Sequence, residues 1–337
     1  MARFVAGENQ LAFRWESGTY GLGPQTALWP GLVQESAIDE STGIIPIRYL
    51  GTSTRNVDQF VEGPKDVTGT FSYFPQDWRI AVAALGLNTD AGSPTPYTHT
   101  ITELESDASA PFTSGTLCPF TSFQVQDAKQ FNPTGLNFVR TVKGCNVNAW
   151  TLNGAQGEIL SVDVDYIGQD VDFTSGAALS ITENTTRPFL WSDVNLHLPS
   201  GTVLEEMKSF TLSVNNNLQA PHYLNGSQVI APPIPLNRDY SMSVTLDSTS
   251  SRSKTFWETY LTGGSSLSSS SSPTFNMMLE VNASTGSRDA YFVMSGCKLL
   301  DADFPSPQEG VNETTLTIQP ENMKVIINDT TFRYNPW

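Results

Sequence analysis

Two pairs of carboxylates are the main catalytic material that residue spacing offers. Asp163 and Asp165, and again Asp301 and Asp303, stand two positions apart in strand-like runs. Residues i and i+2 of a strand share a face, so each pair lies side by side on one wet surface. A glycosidase needs two acids facing each other across a cleft, and calcium needs more oxygen ligands, usually in a tight loop. No G-x-S-x-G elbow occurs, and the glycines of Gly18 to Gly23 lack the strand-then-helix setting of a phosphate cradle. His99, His197 and His222 are scattered, with no pair at metal spacing. Cys118, Cys145 and Cys297 include no CxxC, and three cysteines make no disulfide framework. Cys145 and Cys297 fall inside apolar runs and read as small core residues of two separate modules. The expectation is a chain with no catalytic residue, no metal and no cofactor.

The elements that carry these residues read as strands. Residues 1–30 form an irregular arm punctuated by Phe13, Trp15, Tyr20 and Trp29. A first module is expected over 31–172, a linker over 173–200, a second module over 201–328 and a tail over 329–337. In the first module, strands are expected at Gly31 to Ile38 and Ile44 to Leu50 around a turn at 39–43, then at Val67 to Phe74. Pro75 opens a short helix over Gln76 to Leu85 that Gly86 closes, with Trp78, Val82 and Leu85 on one face. A polar loop follows over 88–117, and strands resume at Phe120 to Gln126, Leu136 to Trp150 and Ile159 to Val171. In the last of these, Leu160, Val162, Val164 and Tyr166 alternate with Ser161, Asp163 and Asp165, the pattern of a strand with one buried and one wet face. The second module repeats the scheme, with strands at Val203 to Val214 and Tyr240 to Leu246. A helix is expected over Lys254 to Leu261, followed by a Ser-rich loop over 265–272. Trp78 and Trp257 sit in the two expected helices, where packing onto a sheet is their simplest role.

Composition supports this reading and narrows the function. The 337 residues are 39% hydrophobic and only 15% charged, with a net charge of −16. Plentiful Thr, Ser, Asn and Gly suit strands and turns better than long helices. An acidic surface repels phosphate, so the chain is a poor candidate for gripping nucleic acid. It does suit a wall along which nucleic acid slides without sticking. The first residues lack a secretory apolar core, and no run is long enough to span a bilayer as a helix. The five Asn-x-Ser/Thr sites are therefore discounted as glycan acceptors.

The chain reads as one module written twice. Lys65-Asp66-Val67 opens a strand, a helix and loop follow, and Gly144-Cys145 comes later; Arg238-Asp239-Tyr240 and Gly296-Cys297 repeat the order. Asp66 and Asp239 are 173 positions apart, and Cys145 and Cys297 are 152 apart. The second copy is thus 21 residues shorter between these anchors, and the shortfall fits the loop after the helix. Length differences between structural repeats belong in loops. Further matches align Phe123-Gln124-Val125 with Leu279-Glu280-Val281, and Phe138-Val139-Arg140 with Ala290-Tyr291-Phe292.

Two stretches carry a family resemblance. GTSTRNVDQFVEGPKDVTGTFSYFPQDWRIAVAALG is followed by a polar loop and YTHTITE, and Arg14-Trp15-Glu16 precedes Tyr20-Gly21. This text resembles the tail tube proteins of long-tailed, siphovirus-type bacterial and archaeal viruses, most sharply over residues 14–103. The resemblance implies a mainly β fold: two tandem β-sandwich or partial-barrel tube modules, each with one short flanking α-helix. It implies a structural virion protein, not an enzyme, assembled in the host cytoplasm and residing in the virion tail. Subunits would close into rings, here a trimer with pseudo-sixfold symmetry, and rings would stack into a tube through which viral DNA is ejected. Partners implied are further copies of the chain, a tape-measure protein, and tail-tip and tail-terminator proteins. Asp163 and Asp165 are the expected lumen-lining residues, with Thr317 and Gln319 as their rough counterparts. The loops between paired strands are expected to reach the next ring, through Arg55, Asn56 and Asp58 in one copy and Asn217, His222 and Asn225 in the other. The arm and the aromatic tail Thr331 to Trp337 are expected to clamp neighbouring subunits. Alternatives are a tail-tip or terminator relative of the fold, a secreted or surface carbohydrate-binding β-sandwich, and a hydrolase built on β-sandwiches.

Overall fold

The computed structural model describes residues 9–16, 20–49, 56–92, 96–103, 121–131, 136–199, 201, 203–247, 258–260, 273–283, 288–303, 312–330 and 334. Arg55, Cys118, Trp257 and the Ser-rich loop 265–272, singled out above, lie outside these residues.

Strands dominate. The first half contains β1 (Asn9–Trp15), β2 (Leu32–Thr42), β3 (Ile45–Ile47), β4 (Gln59–Val61) and β5 (Lys65–Phe74). Helix α1 (Arg79–Leu85) follows, then β6 (Gly86–Ala91), β7 (Tyr97–Glu103), β8 (Phe123–Phe131), β9 (Leu136–Ala155), β10 (Ser161–Gly168) and β11 (Asp170–Thr174). The second half contains β12 (Val194–His197), β13 (Val203–Leu204), β14 (Met207–Asn215), β15 (Leu218–Gln219), β16 (Ile234–Pro235) and β17 (Asp239–Asp247). It ends with β18 (Phe275–Ala283), β19 (Arg288–Asp303), β20 (Glu313–Gln319) and β21 (Asn322–Asp329).

Eight antiparallel strands form the long central sheet, in the order β2–β5–β10–β9–β14–β17–β20–β19. Two further sheets are built on it. One runs β1–β8–β9–β11, the other β13–β12–β18–β19–β21–β7–β6. Strands β9 and β19 each serve two sheets. Each kinks at a glycine of positive φ, Gly144 at 60° and Gly296 at 62°. Glycine adopts that conformation without the Cβ penalty.

The order of pairings recurs in the two halves. β1–β8–β9–β11 matches β12–β18–β19–β21, and β2–β5–β10–β9 matches β14–β17–β20–β19. Phe123 stands opposite Cys145 as Phe275 stands opposite Cys297, both at a register shift. The counterpart of Phe123 is therefore Phe275, and the alignment of Phe123 with Leu279 is corrected. Apolar alternation is the same at either registration, so only the cross-strand partner separates them.

Several boundaries differ from expectation. Residues 9–15 are not irregular: β1 pairs with β8 along its whole length and buries Leu11, Phe13 and Trp15. The expected turn at 39–43 is mostly strand, because β2 stays paired with β5 as far as Thr42 opposite Lys65. Helix α1 begins at Arg79, with buried Trp78 at its N-cap, and Gly86 at φ 108° ends it. All residues from Ile80 to Leu85 are buried, so the helix lies inside the fold and does not rest on it by one face. The expected polar loop after it contains β6 and β7. This hairpin crosses to the second half and pairs with β21.

A single core joins the halves and includes both Cys145 and Cys297, which are not in separate interiors as expected. At its centre Trp78 stacks on Phe189 at 5.1 Å and meets the Phe292 edge at 5.0 Å, while Trp150 stacks on Phe292 at 6.0 Å. Phe189 comes from the expected linker, which is pinned in place. Arg187 grips Asp193 through two bonds of 2.6 and 2.8 Å, and Arg288 donates to the Arg187 and Gln76 carbonyls.

The β6–β7 arm is locked by His99, which is fully buried. Its Nδ1 lies 2.6 Å from Asp90 Oδ1 and its Nε2 3.2 Å from Asp329 Oδ1. Tyr334 stacks on the imidazole at 4.1 Å and donates its hydroxyl to Asp329 Oδ2 at 2.5 Å. Tyr334 thus serves its own chain, contrary to the expectation that this part of the tail clamps a neighbour. Burial pulls the His99 pKa down, but the bonds to Asp329 and Asp90 outweigh it and hold the ring above its ordinary value. A raised folded pKa gives stability that is complete below the unfolded value of about 6.5 and is lost as pH rises through the folded pKa. Tm should therefore fall as the pH is taken from 6 to 9, and His99→Asn should flatten that dependence in thermal scans.

Candidate assembly surface

The long sheet has one buried and one wet face. Along β10, Val162, Val164 and Tyr166 point into the core, and Asp163 and Asp165 point out. The outward face continues through Thr68, Thr70 and Ser72 of β5, Thr151 and Asn153 of β9, Thr211 and Ser213 of β14, and Ser241 and Ser243 of β17. It ends with Thr315 and Thr317 of β20, opposite Asp303 and Asp301 of β19. Small hydroxyl and amide side chains on a wet sheet hydrogen-bond across strands and leave the surface low and even.

Asp163 is held in such a network. Ser72 donates to its Oδ1 at 2.5 Å and Asn153 to its Oδ2 at 2.9 Å, while Thr211 donates to Asn153 Oδ1 at 3.0 Å. Four strands are linked through one carboxylate. Partial burial, with Asp163 nearby, pushes the Asp165 pKa up from the ordinary carboxylate value. Thr317 and Gln319 lie on the same face as expected, but the 152-residue offset sets Thr315 level with Asp163 and Thr317 level with Asp165. The rough counterpart set is shifted by two positions. Glu35 and Asp39 of β2 add acid at one margin of the face, and Asp301 and Asp303 add it at the other.

Among the described residues both margins are open: β2 pairs only with β5, and residues 298–303 of β19 pair only with β20 in this sheet. An edge strand presents unpaired backbone donors and acceptors, a template for another chain.

Two hairpins project from equivalent places, β3–β4 and β15–β16. Asn56 and Asp58 lie in the first, where Asp58 Oδ2 accepts the Tyr49 amide at 3.1 Å. In the second, Asn217 adopts φ 47° and donates to Asn237 O and Asp239 Oδ2, so it shapes the hairpin base. His222 turns sideways and meets Asp66 Oδ1 at 2.8 Å, while Asn225 caps a local turn through Ser227. Sequence reasoning missed the apolar exposure here: Ile44, Ile45, Tyr49 and Phe60 on one hairpin, and Tyr223, Leu224 and Leu236 on the other. Large apolar residues inside polar, turn-rich loops were the available signal.

The residues of the Arg14-x-Glu16 and Tyr20-Gly21 segments converge on the Gly144 kink. Buried Glu16 accepts from Gly144 N, Gly21 N and Gln124 Nε2 at 2.9 Å each and from Ser122 Oγ at 2.5 Å. Arg14 Nε donates to Gln124 Oε1 at 2.9 Å. The Tyr20 ring covers Gly144 closely enough that a Cβ there would meet it at 2.9 Å. These residues build the sheet crossing. Among the described residues no group of His, Cys, Asp or Glu could hold a metal ion, and no helix is long and apolar enough to cross a membrane.

A family model described as phage tail tube protein matches residues 8–276, most of the chain. A comparison with curated proteins gave no match. The chain belongs to the phage tail tube protein family and is a structural component of the virion tail.

Proposed function

We propose that this tail tube protein closes into rings by joining the open β2 and β19 edges of neighbouring copies, and that stacked rings form the conduit for viral DNA. The observation that carries the reading is the eight-stranded sheet with one wet, acid-bearing face and, among the described residues, two open edges. A sheet with free edges on both sides closes on itself when enough copies join, and closure removes the edges. The recurrent pairing order, with its fixed 152- and 173-residue offsets, supports a duplicated module. Two modules per chain then give a trimeric ring with pseudo-sixfold symmetry, in a siphovirus-type tail. The wet face lines the lumen in this reading, and Asp163, Asp165 and the β2 and β19 acids repel phosphate so that DNA passes without binding. The hairpins bearing Phe60 and Leu224 are the proposed contacts between rings, with a tape-measure protein inside and tip and terminator proteins at the ends.

Negative-stain microscopy of the purified protein tests assembly: rings or tubes of constant width are expected, and dispersed monomers would overturn the reading. In assembled virions, Asp163→Asn with Asp165→Asn should slow DNA release on the order of threefold or more. Unchanged ejection kinetics would remove these residues from the lumen.

A further inference from the structure

We infer that the joint between two copies repeats, residue for residue, the joint the chain already makes within itself between β9 and β14. The inference rests on the ring reading above and specifies its register. Inside the chain, Ser213 stands opposite Thr151, Val214 opposite Trp150 and Asn215 opposite Ala149.

Both strands of this joint have counterparts with measurable offsets. β14 meets β17 through a register shift between Met207 and Ser209, and β2 meets β5 through the same shift between Val33 and Glu35. That sets β2 174 positions before β14. β9 meets β10 through a shift that skips Asn148, and β19 meets β20 through one that skips Leu300. That sets β19 152 positions after β9. Shared bulges are strong register markers, because a bulge cannot slide along a ladder without moving every side chain to the other face.

Transferred to the open edges, the internal joint places Asp303 of one copy opposite Asp39 of the next, Ala302 opposite Glu40, and Asp301 opposite Ser41. Ala302 replaces Trp150, which leaves room for the Glu40 side chain on the inner face. A charge pointing inward from an edge strand also discourages pairing in other registers.

A second contact transfers with the first. Across the internal joint, His222 of the second hairpin meets Asp66 at the start of β5 at 2.8 Å. The hairpins correspond through Ile45 opposite Val61 and Gln219 opposite Ile234. The same offsets put Arg48 in the place of His222, and Asp239 of the adjoining copy in the place of Asp66. A basic side chain thus meets a carboxylate at both joints.

Cross-linking tests the register. In a Cys118→Ser background, Ser41→Cys with Asp301→Cys places two thiols directly opposite across the joint; both native residues are exposed, and Cys145 and Cys297 are buried and do not compete. Oxidation should give about tenfold more covalent multimer than Asp39→Cys with Asp301→Cys, which is two residues out of register and beyond disulfide reach. Equal yields, or a preference for the shifted pair, in material that still forms rings would overturn the register while leaving the ring reading intact. Absence of rings in the unmodified protein would overturn the ring reading itself. Independently, Arg48→Glu should weaken ring formation about fivefold, and adding Asp239→Arg should restore it; failure of the second substitution to rescue assembly would remove the ion pair from the joint.

Discussion

Replacing Glu16 with alanine is expected to destabilise the protein by about 3–5 kcal/mol, the range for breaking a buried, fully bonded charged network. The carboxylate accepts four hydrogen bonds, and two of its donors are backbone amides that side-chain rearrangement cannot satisfy. Removing it leaves the Gly144 and Gly21 amides, the Ser122 hydroxyl and the Gln124 amide in an interior without water-accessible partners. Denaturant unfolding monitored by fluorescence reads the loss directly, and Glu16→Gln should cost less because one amide oxygen still accepts. The loss is also expected to be local in origin. The end of β1, the start of β8 and the kink of β9 all meet at this carboxylate, so protection from hydrogen exchange should fall first in residues 9–16 and 121–126. A cost below about 1 kcal/mol, typical of a single exposed hydrogen bond, would contradict the buried network.

The two kink glycines should differ in their tolerance of alanine, although their backbones are alike. At either site a Cβ in the left-handed region costs about 1–2 kcal/mol. At Gly144 that Cβ also lies 2.8 Å from Gln169 Cβ and 2.9 Å from the Tyr20 ring, which is itself packed and buried. Overpacking there adds roughly 1–3 kcal/mol, for about 2–5 kcal/mol in all. At Gly296 the nearest atoms all belong to exposed Glu321: its carboxylate end, at 2.2 and 2.6 Å, can swing away, while its Cβ at 2.9 Å moves only with the backbone. Gly296→Ala should therefore cost less than Gly144→Ala, where a buried ring and a second side chain are both in the way. Parallel denaturation curves of the two variants test the contrast, and equal losses would mean that the Tyr20 contact contributes nothing.

The asymmetry has a structural cause. Gly144 N is bound by the Glu16 carboxylate at 2.9 Å, while Gly296 N has Asn276 Oδ1 at 3.3 Å. The same kink is held firmly in one half and loosely in the other. Equivalent positions have thus diverged where their surroundings differ, as Asp165 and Thr317 have on the wet face.

Much of this was legible before any coordinates. The alternation of Leu160, Val162, Val164 and Tyr166 against Asp163 and Asp165 identified both faces of β10, because a strand repeats every two residues and burial follows directly. Gly86 marked the end of α1 through its positive φ. The tube-family resemblance agreed with the family match. Less legible was β1, whose short run gives no length of alternation to distinguish a paired strand from an arm. The β6–β7 arm was hidden for a similar reason: Asn88, Thr89 and Asp90 read as loop residues, and they form a strand because β7 pairs with β21 far along the chain. His222 and Asn217 were read only as part of a loop between paired strands, and the residues they bond, Asp66 and Asp239, could be identified only once the strands were in register.

The sequence by itself determined the β class, the acid-bearing wet strand, the lack of a recognisable catalytic motif, and the offsets of 152 and 173 positions. These are properties of residue type and local period, which need no knowledge of distant partners. The tertiary structure alone decided that β9 and β19 each cross between sheets, that one core unites both halves, that an arm from the first half extends the sheet of the second, and that β2 and β19 are open edges among the described residues. Strand pairing is non-local, and alternation looks the same whichever strand lies alongside. Only the ladder of backbone hydrogen bonds distinguishes a paired edge from a free one.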